Sequence, residues 1–81
     1  LDRDTILATI IKQIRIVVPD LDGETIGPQD AMADLGVDSI DRQEIIILTL
    51  EALGLEIPMV QLHGPRNLGE LADLLHAKLA A

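Results

Sequence analysis

The sequence predicts an all-α fold, a small bundle of three main helices and one short one, and three observations carry that prediction. Apolar residues recur at helical spacing in three separate stretches. The apolar content is aliphatic throughout, because 48% of the 81 residues are hydrophobic and none is Phe, Trp or Tyr. Proline falls between the apolar stretches and never inside them. A chain of this length lies near the lower end of what one apolar core holds together without help, and with no cysteine it has neither disulfides nor a thiolate metal site to supply it. Residues 1–81 are therefore read as one domain.

The first helix is expected from Arg3 to Val18, where Leu7, Ile10, Ile11, Ile14, Val17 and Val18 recur with Lys12, Gln13 and Arg15 between them; Pro19 ends it. The stretch from Asp20 to Asp34 holds Gly23, Gly27 and Pro28 and reads as a long loop, with room for one helical turn in "DAMADLG". Asp38 suits an N-cap, with Asp41 placing acidic charge in the first turn, so a second helix begins at about Ser39. It runs through "SIDRQEIIILTLEAL" and stops at Gly54. The segment "PMVQLHG" is long enough for one or two turns. Asn67 then caps a last helix striped by Leu68, Leu71, Leu74, Leu75 and Leu79.

Fourteen acidic residues against six basic ones give a formal charge of −8. Nucleic acid and anionic membranes are poor partners for such a surface, because both are recognised by Lys and Arg neutralising phosphates. No apolar run approaches the roughly 18 residues of a membrane span, and no export signal is apparent. A cytoplasmic monomer is the expectation, with Leu1 pointing to a processed, trimmed or excised N-terminus.

On the second helix, Ile45, Ile46, Leu48, Thr49, Ala52 and Leu53 fall within about 80° of one direction, which marks the core face. Ile40, Gln43, Ile47, Leu50 and Glu51 lie on the far side. Either the helix is wrapped on nearly all sides, or apolar knobs flanked by Asp38, Asp41, Glu44 and Glu51 form a docking surface, in which apolar contact supplies affinity and acidic charge steers basic partners. The net charge favours docking.

Ser39 sits beside the N-cap candidate, and a serine there ordinarily satisfies free N–H groups at a helix start. As a nucleophile it is poorly equipped: only His63 and His76 offer a base, each without an orienting partner nearby in sequence. The serine is better suited to be a substrate for another enzyme, since a phosphodiester on it would sit at the positive end of a helix.

"DLGVDSID" at 34 to 41 resembles the attachment motif of the acyl carrier proteins, in which a serine within Asp-Ser-Leu or a close variant carries 4′-phosphopantetheine. The resemblance extends over nearly the whole chain: first helix, long loop, Leu35-Gly36 before the motif, an apolar and acidic second helix, "EIP" at 56 to 58 and a leucine-striped last helix. It implies the four-helix acyl-carrier bundle, with Ser39 as the covalent phosphopantetheine site and Asp38 as the acidic residue met by the phosphopantetheinyl transferase. It further implies a partner-facing helix in which Ile40, Asp41, Arg42, Glu44, Ile47 and Glu51 take part. The implied function is carriage of acyl thioesters between enzymes such as acyltransferases and ketosynthases, with no catalysis by the carrier itself.

Two departures bear on partner choice. Ile40 replaces the commoner leucine and keeps an apolar knob, while Arg42 places a positive charge early in a helix usually rich in acid. "MVQLHGPRNL" lacks the acidic cluster of fatty-acid carriers and is closer to polyketide carriers, and "DSIDRQEI" is similar to the free-standing carriers that donate acyl groups in polyketide β-branching. Fatty-acid and peptidyl carriers are the alternatives within the class, and a helical interaction adaptor whose serine is only a cap is the alternative outside it. The aliphatic core is expected to open enough to shelter a short acyl chain. "DLDGET" at 20 to 25 does not complete a calcium-loop pattern, and Gly23 and Gly27 form no phosphate-cradling fingerprint. Arg66, His63 and Lys78 are expected to be solvated, and Met32 and Met59 to serve packing.

Overall fold

The structure, a computed structural model, describes residues 1–80. Three helices, α1 (Arg3–Val17), α2 (Ser39–Leu53) and α3 (Leu68–Ala80), are connected by loops with 3-10 turns at Pro19–Leu21, Ala33–Leu35 and Met59–Leu62. No strand occurs among the described residues. The expected bundle is observed, and its short fourth element is a 3-10 turn of four residues. Pro58 before it, with Gly64 and Pro65 after it, leaves little chain for regular α-turns.

α1 starts where the Asp2 carboxylate accepts the Thr5 N–H at 2.8 Å, and it ends before Pro19. Pro19 also opens a 3-10 turn inside the stretch expected to be loop, since its fixed φ suits a first helical position. Arg15 fastens this turn to α1 by donating from Nη1 to the carbonyls of Leu21 at 2.7 Å and Asp22 at 2.9 Å.

Ile6, Ile10 and Ile14 of α1 are fully buried and join Ile45 and Ile46 of α2 and Leu68 and Leu75 of α3 in one apolar cluster. Each such side chain contributes about 1.5–3 kcal/mol relative to leaving it in water. α1 lies against both other helices, whereas the backbones of α2 and α3 approach one another less closely. Loop residues Met32, Val37 and Leu62 complete the core.

Three residues of α2 depart from the expected faces, and one of them, Leu48, placed on the core face, is half-buried and outside the core cluster. Ala52, placed on the core face, is exposed, and Leu50, placed on the far side, is half-buried against the core. For Leu50 the cause is the chain reversal after the helix. Gly54 adopts the left-handed conformation with φ 65°, and the Leu55 N–H reaches back to the Leu50 carbonyl at 3.0 Å, which brings the Leu55 segment over Leu50. Thr49 is buried as expected, and its hydroxyl donates to the Ile45 carbonyl at 2.8 Å.

The start of α3 pins the long loop. The Leu68 N–H donates to the Asp30 carbonyl at 2.9 Å and the Gly69 N–H to the Pro28 carbonyl at 2.8 Å. Asn67 caps as expected, its Oδ1 accepting the Glu70 N–H at 2.8 Å. Three otherwise orphaned N–H groups are thus satisfied, two of them by the loop that precedes α2.

Candidate functional site

The approach to Ser39 is built by a tight turn. Gly36 ends the Ala33–Leu35 turn in the left-handed conformation with φ 83°, a backbone that a side-chain-bearing residue adopts only with strain. The Val37 N–H then returns to the Met32 carbonyl at 3.1 Å, and both side chains are buried. Two residues beyond this anchor, Ser39 opens α2.

Asp38 is the N-cap. Its backbone is extended, and its carboxylate accepts the Asp41 N–H at 2.8 Å. The cap is therefore made by the residue before the serine, and Ser39 is exposed with no hydrogen bond from its hydroxyl among the described residues. That removes the ordinary structural duty of a serine at this position. His63 and His76 are both exposed on other elements, and neither borders the cleft beside Ser39.

Along α2, Ile40, Glu44, Ile47 and Glu51 follow one another at spacings of four, three and four residues, and all are exposed. Ile40 is 76% and Ile47 46% exposed, too open for a helix wrapped on every side. At the lower end the stripe runs into a groove of ≈ 410 Å³ bordered by Ile47, Leu50, Leu55, Glu56 and Ile57. The sequence marks Glu56 and Ile57 only as part of "EIP", because their adjacency to Ile47 depends on the reversal at Gly54. Asp41 is half-buried at the helix start.

Arg42 lies on roughly the opposite side of α2 from the Ile40 stripe. It borders a second cleft of ≈ 340 Å³ that Ser39 and Asp38 also border. The lining is largely apolar, with the buried Met32, Leu62, Leu68 and Leu71, and it also includes Arg66. Arg66 is exposed as expected, but its place beside the Ser39 cleft was not read from the sequence. Nothing in the spacing signals that the approach to α3 returns to the start of α2.

The small helical bundle, with an uncommitted hydroxyl at a helix start beside an apolar cleft and an acidic, apolar-studded face, has the architecture that the carrier resemblance implied. Residues 4–75 match the family described as "Phosphopantetheine attachment site". The chain is 44% identical over 79 residues to the polyketide biosynthesis acyl-carrier-protein AcpK of Bacillus subtilis (strain 168), covering 98% of this chain and 96% of that one. It is 30% identical over 76 residues to an acyl carrier protein of Thermosynechococcus vestitus, covering 89% and 94%. A chain in the crystal structure of the curacin biosynthetic pathway HMG synthase in complex with acetyl donor-ACP matches with a TM-score of 0.92 and 41% identity, over 96% of this chain and all of that one.

The chain belongs to the phosphopantetheine-attachment family and is an acyl carrier protein of the polyketide type. It carries acyl groups on covalently attached 4′-phosphopantetheine, whose terminal thiol holds them as thioesters. Family membership sets aside the adaptor alternative, and the identity to a polyketide carrier favours that type over fatty-acid and peptidyl carriers.

Proposed function

We propose that Ser39 Oγ is the attachment atom and that this chain, as one carrier domain, is the donor carrier of a polyketide β-branching system. The observation that carries the first part is the division of labour at the start of α2: Asp38 caps the helix, and the adjacent hydroxyl is exposed and free to react. A phosphopantetheinyl transferase would join this oxygen to the phosphorus that bears the pantetheine half of coenzyme A. The bond to the adenosine 3′,5′-bisphosphate half breaks, and the serine proton passes to a base of the transferase. The phosphodiester then sits at the N-terminus of a 15-residue helix, where its negative charge is favoured.

The carrier is assigned no catalytic group in this reading, as its carrier family supports. Its own contribution is an address. Ile40 and Ile47 give apolar contact, and Glu44 and Glu51 steer basic partner surfaces, with Asp38 and Asp41 at the end nearest Ser39. Arg42 tunes partner choice from the cleft side. Acyltransferases and ketosynthases are general partners of such a face. The likeness to a carrier held by the curacin-pathway HMG synthase supports an enzyme of that kind as acceptor of a short acyl group from this chain. The loading chemistry needs coenzyme A and so supports a cytoplasmic setting, and the charged α2 face is consistent with a monomer.

Peptide mapping after treatment with the transferase and coenzyme A tests the attachment. The adduct is expected on the peptide containing Ser39 alone; an adduct on a peptide carrying only threonine hydroxyls contradicts the assignment. For the partner, a purified β-branching HMG synthase should bind the acetyl-loaded protein more tightly than Ile47→Glu does, and equal binding contradicts the docking face.

A further inference from the structure

We infer that Asp22 is a modification site: its side chain closes on the Gly23 nitrogen to a cyclic imide that reopens as isoaspartate, and Arg15 holds the site shut while it grips the turn. The inference is independent of Ser39. It concerns "DLDGET" at 20 to 25, a stretch that the carrier function leaves without a role.

The reaction needs a carboxyl, an accessible nitrogen on the next residue, and freedom to rotate the bond between them. Of the nine aspartates only Asp22 is followed by glycine, which has no side chain to shield its nitrogen. Asp22 and Gly23 are both exposed, and a Cβ at Gly23 would meet nothing within 4 Å. Among the described residues the Asp22 carboxylate makes no ion pair or hydrogen bond. The N–H groups of Leu21, Asp22 and Glu24 donate to the carbonyls of Val18, Pro19 and Leu21 at 3.0, 3.0 and 3.1 Å, whereas the Gly23 N–H donates to no backbone carbonyl. The nitrogen that must attack is thus the one that the turn leaves unused. Asp38 before Ser39 is exposed too, but its carboxylate is committed to the Asp41 N–H.

Arg15 opposes closure. A five-membered ring requires the Asp22 Cβ and the Gly23 nitrogen to be nearly eclipsed about the Cα–C bond, and the turn keeps Asp22 at φ −59° and ψ −36°, outside that arrangement. Arg15 Nη1 donates to the Leu21 carbonyl at 2.7 Å and to the Asp22 carbonyl at 2.9 Å, and the second belongs to the peptide group that must rotate. A charged donor makes this grip stronger than a neutral one would. The turn is exposed, however, and such segments open locally far more often than the core does.

Once the grip opens, the Gly23 nitrogen bonds to Cγ of the protonated carboxyl, and the nitrogen's proton leaves with the carboxyl hydroxyl as water. Water then adds to one imide carbonyl. Addition at Cγ restores aspartate. Addition at the main-chain carbon breaks its bond to Gly23, so that the chain runs through Cβ and Cγ; the net change is an isomerisation that consumes nothing. The main chain is then longer by one carbon, and the oxygen that Arg15 gripped belongs to a pendant carboxylate. The chain from Gly23 onward is released from α1.

The test ages the folded protein in warm, mildly acidic buffer beside the same chain unfolded in guanidinium chloride, and beside folded Arg15→Gln and Gly23→Ala. Methyl transfer from S-adenosylmethionine by a protein-isoaspartate methyltransferase counts the product, and electron-transfer fragmentation of peptides locates it. Isoaspartate is expected at Asp22 before any other aspartate, and about three- to tenfold faster in Arg15→Gln, as befits loss of a partly exposed charged donor. Gly23→Ala should suppress it, and it is expected to fold because Gly23 has no positive φ and a Cβ there has room. Isoaspartate first at another aspartate, or at none in the folded parent, would overturn the site. Equal rates in the parent and Arg15→Gln would overturn the role of Arg15. Should that variant not fold, a folded parent that converts as fast as the unfolded chain overturns that role equally.

Discussion

The Asp38 carboxylate accepts the Asp41 N–H at 2.8 Å, and this bond assigns separate tasks to two adjacent residues. Asp38 holds the helix start, and the Ser39 hydroxyl makes no hydrogen bond among the described residues. The separation predicts opposite outcomes for two alanine variants. Asp38→Ala should cost about 1 kcal/mol, a fall of roughly 4–8 °C in Tm for a domain of this size. Ser39→Ala should stay within about 0.5 kcal/mol of the parent. Thermal melts of the two variants decide the matter, and the reverse order would make the serine the cap.

Exposure of Ile40 and Ile47 predicts variants that keep the fold and lose the partner. Ile47→Ala removes few core contacts and should leave stability within about 0.5 kcal/mol. If Ile47 is an anchor, binding to a partner enzyme should weaken by about 1–2 kcal/mol. Glu44→Lys and Glu51→Lys should instead slow association, with the difference shrinking as salt is added. Stopped-flow association rates across ionic strength separate the two effects.

Gly69 marks a close approach outside the lining of the Ser39 cleft. A Cβ there would lie 3.1 Å from both Pro28 Cβ and the Pro28 carbonyl oxygen, and 2.7 Å from an Arg3 nitrogen. The arginine end can move, but the Pro28 carbonyl is already bonded to the Gly69 N–H. Overpacking of this kind costs about 1–3 kcal/mol, more than the gain of up to about 1 kcal/mol from replacing glycine in a helix. Gly69→Ala is therefore expected to be less stable to urea by about 1 kcal/mol, with arm attachment unchanged. A more stable variant would show that the loop yields freely.

Asp2 gives a pH dependence with a definite sign. Its carboxyl is held below the usual carboxylate range, chiefly by the Thr5 backbone N–H that it accepts. A depressed carboxyl stabilises the fold at pH above its unfolded value, and the contribution is lost as pH falls through the lower folded value. The start of α1 should thus loosen in acid, below about pH 4. Asp2→Asn, which caps comparably, should remove this component while leaving neutral stability nearly unchanged. Amide exchange of Thr5 and Ile6 between pH 5 and 2 measures it, and identical profiles for both proteins would refute the assignment.

Much of this architecture was legible because local chemistry and tertiary structure agree. Asp38 before Ser39 and Asn67 before Leu68 each cap in the way their side chains allow, and Gly54 ends α2 where a left-handed residue is needed. The illegible parts depend on chain segments meeting in space. Helical angle alone put Leu50 outside and Ala52 inside, because it does not contain the return of Leu55 over Leu50. Arg66 reads as one more surface charge until α3 is placed with its start beside α2. The motif "DLGVDSID" needed no such meeting to be noticed, being contiguous from Asp34 to Asp41, whereas the cleft that flanks it draws on four separated segments.

Attachment at the Ser39 hydroxyl is tested most directly by intact mass after incubation with coenzyme A, magnesium and a broad-specificity phosphopantetheinyl transferase. The wild-type protein should gain a single phosphopantetheine and the folded Ser39→Ala variant none. A gain in the variant, or none in a folded wild-type protein, would contradict attachment at Ser39.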